Sequence, residues 1–451
     1  MKRNIVYVLI LTMGINMSVQ TANAQTTKEK DDKANQVTFK YDDGTYVGGM
    51  SFEMKQGYGV YTWKNGNRYE GEWQSDMISG HGKYTWKNGN CYEGDFIDGR
   101  RSGQGQMTWA NGDKYVGSWR NDERNGRGVY TYSLTGQRYE GDFVDGKRHG
   151  YGVFTWANGD KYEGHWENDT QTGHGISTFA NGDRYEGNYD NGRKQGYGVF
   201  VWASGDKYEG EWQDDKQTGD GIFTWENGNR FSGHYVNGKK HGHGVITWAN
   251  GNKYDGNWEY DERVGKGIYI WANGDKFERT FVAGKETGRG VKTYANGDKF
   301  DGYWENGVQK GLGIMVSANG DRYEGNFAND KENGHGVKTW ANGDKYNGNW
   351  VNGKREGKGV YIWANGDRYD GYFKNGKKHG KGLMTWSNGE QYEGDWENNL
   401  QTGHGVYLWP NGDEFEGEWL NGKKHGRGTY FYADDTEKEG LWQDDVYIDE
   451  E

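Results

Sequence analysis

The chain has 451 residues, of which 32% are hydrophobic and 16% aromatic, with 79 glycines and a single proline. So little aliphatic material excludes a large two-layer core, and so much aromatic material excludes a disordered chain. The net charge of −12 argues against broad binding to nucleic acid or anionic lipid, both of which need a net basic face.

In chain order, residues 1–24 read as a signal peptide. Lys2 and Arg3 precede an apolar run from Ile5 to Ile15, and Ala22-Asn23-Ala24 offers small residues at the cleavage positions. The run is short for a membrane span, so an uncleaved anchor is the lesser alternative. Export to a periplasm, cell envelope or extracellular space is therefore expected. A charged linker follows over residues 25–38, then a repeated array over 39–442 and an acidic tail over 443–451. Cys91 is the only cysteine, so no intrachain disulfide can form.

Within the array a Tyr-x-Gly anchor recurs at Tyr46, Tyr69, Tyr92 and Tyr115, then from Tyr139 to Tyr392 and Phe415. The step is 23 residues everywhere except between Tyr115 and Tyr139, where it is 24. With the anchor as position 1, a unit reads Tyr-Glu-Gly-Glu-Trp, a turn such as Asn-Gly-Lys, Gly-x-Gly-Val-Tyr-Thr-Trp, and Ala-Asn-Gly-Asp-Lys. No helix fits in so short a period, and alternating aromatic runs bounded by Asn-Gly predict successive β-hairpins. Side-chain alternation puts positions 1, 3 and 5 on one face, joined by 12, 14, 16 and 18 of the next strand. A three-residue turn is expected to bring these faces together, with rings lying over the Gly-x-Gly pairs. The other face carries Glu at 2 and 4, bases at 23, and Val and Thr at 15 and 17. The extra residue near Tyr132–Tyr139 should loop out and leave the sheet in register. A second alternation of 46 residues pairs Trp at position 5 with Asp at position 8, then Phe or Tyr with Gly; the sequence alone supplies no physical reason for it.

These phrases resemble MORN repeats, with about 17 units covering nearly the whole chain after the linker. The resemblance implies an all-β fold: an elongated, single-layer, twisted antiparallel sheet of tandem hairpins. At ~4.8 Å between strands, such a sheet would be a rod of roughly 160 Å. MORN units occur beside catalytic domains, notably in plant phosphatidylinositol phosphate kinases and in a lysine methyltransferase, but there the chemistry lies in the other domain. The resemblance thus implies no enzymatic activity here.

The residues themselves give no catalytic set, cofactor loop or metal site. The Gly-x-Gly pairs lack the third glycine and the helix of a phosphate loop. Aspartates at position 22 (Asp113, Asp160, Asp183, Asp206, Asp275, Asp298) stand about 10 Å apart, too far to share a cation. His241 and His243 are close but have no third ligand nearby. Two sets of candidate binding residues remain. Basic hairpin tips comprise Lys147 and Arg148, Arg193 and Lys194, Lys239 and Lys240, Lys377 and Lys378, and Lys423 and Lys424. A patch of departures from consensus, placed on the ring face, comprises Arg279, Lys292, Ser317 and Lys338. It reads either as drift tolerated through cation–π contacts or as an anion- or partner-docking patch where the array could bend. The expected role is a non-catalytic exported scaffold binding protein partners, itself included. Phospholipid or envelope-glycan binding through tips or rings is the alternative.

Overall fold

The computed structural model describes residues 36–282 and 284–448. The signal-peptide segment and most of the linker lie outside them. At the array's borders, strand Val37–Tyr41 begins two residues before the expected boundary. Residues Val446–Ile448, read as tail, form a strand paired with Glu437–Gln443.

Each repeat contributes two antiparallel strands, and no helix occurs among the described residues. Strand Arg68–Gln74 shows the logic. Tyr69, Gly71 and Trp73 are buried while the residues between them are not. Its partner is Met77–Thr85, with Tyr69 opposite Tyr84 and Gly71 opposite Gly82. The next strand, Cys91–Ile97, pairs on the far side, Gly82 opposite Gly94. A period-2 burial pattern therefore fixes the register, because a one-residue slip would turn every ring to the charged face.

The connecting turn corrects the expected three residues to two. Ser75 and Asp76 form it, both in the left-handed region at φ 49° and 66°. This is the signature of a type I′ turn, which matches strand twist and needs φ > 0 at both central positions. That requirement explains the Asn-Gly and Asn-Asp pairs. The faces still coincide, because across a two-residue turn position 5 faces 10 and, beyond a bulge, 3 faces 14. The bulge sets residues 79–81 opposite Glu72 alone, adding two residues and so preserving parity. It also separates the two glycines of Gly-x-Gly. Gly80 is held at φ +67°, a conformation that favours glycine, whereas Gly82 lies under a ring: a Cβ there would sit 2.2 Å from the Tyr69 hydroxyl. Only position 14 is the expected ring platform.

The described residues divide into two compact units, one running up to Thr172 and the other from Gly173 onward, with the division inside strand Thr170–Thr178. In the first unit the 24-residue step leaves pairing intact, Tyr139 opposite Tyr130 and Gly141 opposite Gly128. The Tyr132 amide reaches the Gln137 carbonyl across the enlarged turn, and Leu134 projects at 95% exposure. The second unit repeats the same ladder from Arg184–Asp190 to Val446–Ile448.

Candidate binding surfaces

The ring face forms an aromatic ladder. Tyr69 meets Trp73 edge-on at 5.3 Å and Phe96 of the next repeat at 5.4 Å. Tyr92 likewise meets Phe96 at 5.0 Å and Trp119 at 5.2 Å. Such contacts add about 0.5–1.5 kcal/mol each beyond burial. The polar atoms of the rings are also engaged. The Tyr69 hydroxyl donates to the Glu72 carbonyl at the bulge, and Trp73 Nε1 donates to the Gly59 carbonyl of the preceding repeat. Burial pushes the Tyr115, Tyr254 and Tyr346 phenols up to about 12.

The hairpin tips divide in a way the sequence reading missed. Position 9 (Lys147, Arg193, Lys239, Lys377, Lys423) is exposed as expected. Position 10 (Arg148, Lys194, Lys240, Lys378, Lys424) is instead turned onto the ring face, because it stands opposite position 5. Arg148 lies 4.3 Å from the Trp166 ring of the following repeat, Lys378 3.8 Å from Trp396, and Lys424 4.5 Å from Trp442. Burial pushes the Lys378 ammonium down to about 8. Each base is also clipped to the following turn. The Arg148 amide and Nε both donate to Asp169 at 3.0 Å, and the amides of Lys194 and Lys240 donate to Asp215 and Asp261 at 3.0 Å.

This clip is the physical basis of the 46-residue alternation. A base at position 10 of one repeat caps the Trp at position 5 of the next, and the Asp at position 8 of that same repeat holds the base. One repeat supplies the base and its successor both Trp and Asp, so Trp and Asp travel together, although a base at position 10 is not confined to one phase: Arg124 and Arg263 stand in Trp–Asp repeats and lie over Phe143 and Phe281. A clue lay in the sequence: Lys or Arg at position 10 precedes Asp by 21 residues at Lys55–Asp76, Arg101–Asp122 and Arg148–Asp169.

Of the four patch residues Arg279, Lys292 and Lys338 are on the ring face, and the four do not form one open site. Arg279 and Lys292 are on adjacent strands, with Phe277 opposite Lys292. Arg279 is 9% exposed, lies 4.6 Å from the Phe277 ring and pairs with Glu286. Lys292 lies 3.6 Å from Asp275 and 4.4 Å from the Tyr294 ring. Lys338, on Lys331–Thr339, is 2.7 Å from Glu332. Ser317 closes a turn, its amide donating to the Asp321 carbonyl. Each base thus has an acid and a ring of its own.

The position-22 aspartates act as clamps on the backbone. Asp183 accepts the Ala203 amide at 2.8 Å, Asp275 that of Ala295 and Asp298 that of Ala318. Among the described residues no group of three or more His, Cys, Asp or Glu is placed to hold a metal ion. On the outer face ion pairs run both along one strand, as Arg68 to Glu70 and Arg184 to Glu186 at 2.6 Å, and between adjacent strands, as Lys83 to Glu93 at 3.5 Å and Arg289 to Asp301 at 3.2 Å. Glycine backbones floor a trough between two outer rows, positions 2 and 15 on one side and 4 and 13 on the other. Tyr58, Tyr151, Tyr197, Tyr303 and Tyr372 all stand in the second row and are 44–60% exposed.

Seventeen successive segments, from 46–68 to 415–437, match the family model described as MORN repeat. Two are shortened, 115–133 before the enlarged turn and 280–299 after Arg279. No curated protein sequence matches the chain. Solved structures with some similarity include the TCP10 domain of Danio rerio CPAP, at 13% identity over 49% of this chain and 92% of that one, TM-score 0.20. The TCP10c domain of Drosophila melanogaster Sas-4 is 16% identical over 45% of this chain and 93% of its own, TM-score 0.15. Virginiamycin B lyase from Staphylococcus aureus is 13% identical over 63% and 89%, TM-score 0.11. At these scores the likenesses carry no functional argument.

Proposed function

The chain belongs to the MORN-repeat family, and from that premise we propose that it is a non-catalytic scaffold that binds protein partners through its outer face. MORN repeats take part in protein–protein or membrane-lipid interactions, and the division of labour between the two faces favours the former. The observation that carries the reading is the row of exposed tyrosines at positions 4 and 13, on a face whose register does not require them. Large amphipathic rings at low entropy cost are what protein interfaces enrich. The alternative of lipid or glycan binding has less to work with. Half of the basic tip residues cap tryptophans, and the rings that would stack on sugars are stacked on one another. Export by the amino-terminal segment is part of the proposal and would place the partners outside the cytoplasm.

A photo-crosslinking amino acid at Tyr151 or Tyr197 tests the reading on the full chain, with ring-face Trp156 as the control position. Specific protein adducts from the outer face alone are expected. Adducts from neither face, together with salt-sensitive sedimentation on anionic vesicles, would overturn it.

A further inference from the structure

Resting on the scaffold reading, we propose that the outer-face trough of the second unit, between Lys266 and Lys381, docks an acidic polypeptide segment in the polyproline II conformation, one turn per repeat. The trough opens into successive hollows of ~480 Å³ beside Lys266 and Arg289, ~550 Å³ beside Tyr303 and Leu312, and ~420 Å³ beside Tyr372 and Lys381. Its floor is the glycine row, whose amides and carbonyls face other strands in the ladder. The floor therefore offers an added β-strand no main-chain partners. A polyproline II segment asks for none.

Charge selects an acidic ligand. Position 4 in the first unit includes Glu72, Asp95 and Asp142, whereas from Asn257 to Tyr372 it holds no carboxylate: Asn257, Thr280, Tyr303, Asn326, Asn349 and Tyr372. Position 13 in the same stretch supplies Lys266, Arg289, Lys358 and Lys381. The carboxylates of the opposite wall are largely answered already, Glu324 by Arg322, Asp370 by Arg368 and Asp301 by Arg289. Lys266 and Lys358 are exposed, and neither forms an ion pair among the described residues. The row thus keeps cations to spare.

Spacing selects the conformation. Equivalent row positions recur every two strands, about 9.6 Å apart. A polyproline II helix turns once in three residues of ~3.1 Å, about 9.3 Å, and returns every third side chain to the same side. A β-strand returns its side chains at about 6.7 Å, off register with the row. The shortfall of about 0.3 Å per repeat stays within the reach of a lysine over five repeats. Tyr303 and Tyr372, 53% and 50% exposed and three repeats apart, offer ring faces to prolines.

The test is fluorescence anisotropy with the full chain and labelled peptides of six triplets at low salt: Pro-Pro-Glu, Gly-Ser-Glu and Pro-Pro-Lys. Binding of the Pro-Pro-Glu peptide is expected, at least 5-fold tighter than Gly-Ser-Glu, with none for Pro-Pro-Lys. Lys266→Glu/Lys358→Glu should weaken it at least 10-fold and Tyr303→Ala/Tyr372→Ala at least 3-fold. All four positions are exposed, and amide exchange in the neighbouring strands checks the fold. Equal binding of Pro-Pro-Glu and Gly-Ser-Glu, indifference to the Lys reversals, or tighter binding of polygalacturonate would overturn the proposal. If the peptides fail while crosslinking at Tyr151 or Tyr197 still captures a partner, this inference falls and the scaffold reading stands. If crosslinking fails too and the chain sediments with anionic vesicles in a salt-sensitive way, both fall.

Discussion

Removing one base–Trp–Asp clip should loosen one repeat junction and leave the rest of its unit intact. Arg148 is the best placed, with its side chain 20% exposed, its guanidinium 4.3 Å from Trp166, and Nε and amide both 3.0 Å from an Asp169 oxygen. Arg148→Met keeps the apolar stem but loses the cation–π contact, about 0.5–2 kcal/mol, and a half-exposed ion pair of up to about 1 kcal/mol. A loss of about 0.5–3 kcal/mol follows. Asp169→Asn keeps an acceptor for the Arg148 amide and should cost under ~1 kcal/mol, as the natural Asn399 beside Lys378 suggests. Because both substitutions break one interaction, the double variant should fall short of their sum by about 0.5–1 kcal/mol. Whole-chain melting would dilute such effects, since repeat arrays unfold in nearest-neighbour fashion. Hydrogen exchange on peptides spanning residues 143–172 reads the junction directly, with residues 46–75 as an internal control. Additive effects, with no faster exchange at the Arg148 amide, would refute the clip.

Gly221→Val would drive a side chain into Tyr208, whose hydroxyl lies 2.4 Å from the added Cβ, and should cost on the order of 1–3 kcal/mol by chemical denaturation. Lys207→Ala on the charged face should cost under ~0.5 kcal/mol; equal effects would mean the faces are misassigned. Deleting Leu134 restores the 23-residue step and should leave amide exchange in both flanking strands unchanged within about 0.5 kcal/mol, because that residue is 95% exposed. Restoring consensus with Lys338→Tyr should destabilise by about 1 kcal/mol or more, because it strands Glu332, and Glu332→Arg should rescue it. The buried phenols predict alkaline unfolding. Their folded pKa is raised above the unfolded ~10, so their stability is complete below pH 10 and is lost as pH rises towards 12. Each can remove up to about 1.4 kcal/mol per pH unit, less where water reaches the hydroxyl; Tyr346→Phe should raise the midpoint seen by circular dichroism.

The hairpins and the ring face were legible because each rests on local periodicity: Tyr69, Gly71 and Trp73 alternate within one strand, and Ser75-Asp76 sits between two such runs. The two-residue bulge was not legible. It appears only when Gly71 is set opposite Gly82 and Trp73 opposite Ile78, a relation between strands. From the turn length followed the larger omission. The two-residue turn, where three residues were expected, sets position 10 opposite position 5, so a lysine that reads as a solvated tip in "GKKHG" proves to be half of a tryptophan cap. Charge runs are assigned to solvent by habit, yet Lys378 shows how a long apolar stem can bury its ammonium against a ring.

The same clip explains why the irregular stretch lies where it does. Asp- and Gly-type turns alternate up to Asp261 and Gly284, but Gly307 then follows Gly284 out of phase. Over three repeats position 10 carries no base, being Glu286, then the 2%-exposed Gln309, then Glu332, before Arg355 restores it. An acid placed over the ring ladder would repel the ring faces and lie half-buried without a partner. Arg279 answers Glu286 and lies on Phe277, which in turn packs 4.7 Å from Trp304. Lys338 answers Glu332 and lies 5.6 Å from Trp350. In both places a cation reaches the ladder from a new position in the repeat, and the ion pair is kept with its polarity exchanged. Arg279 and Lys338 are therefore the local repair of a phase fault in a two-repeat pattern. Their charge is spent inside the sheet.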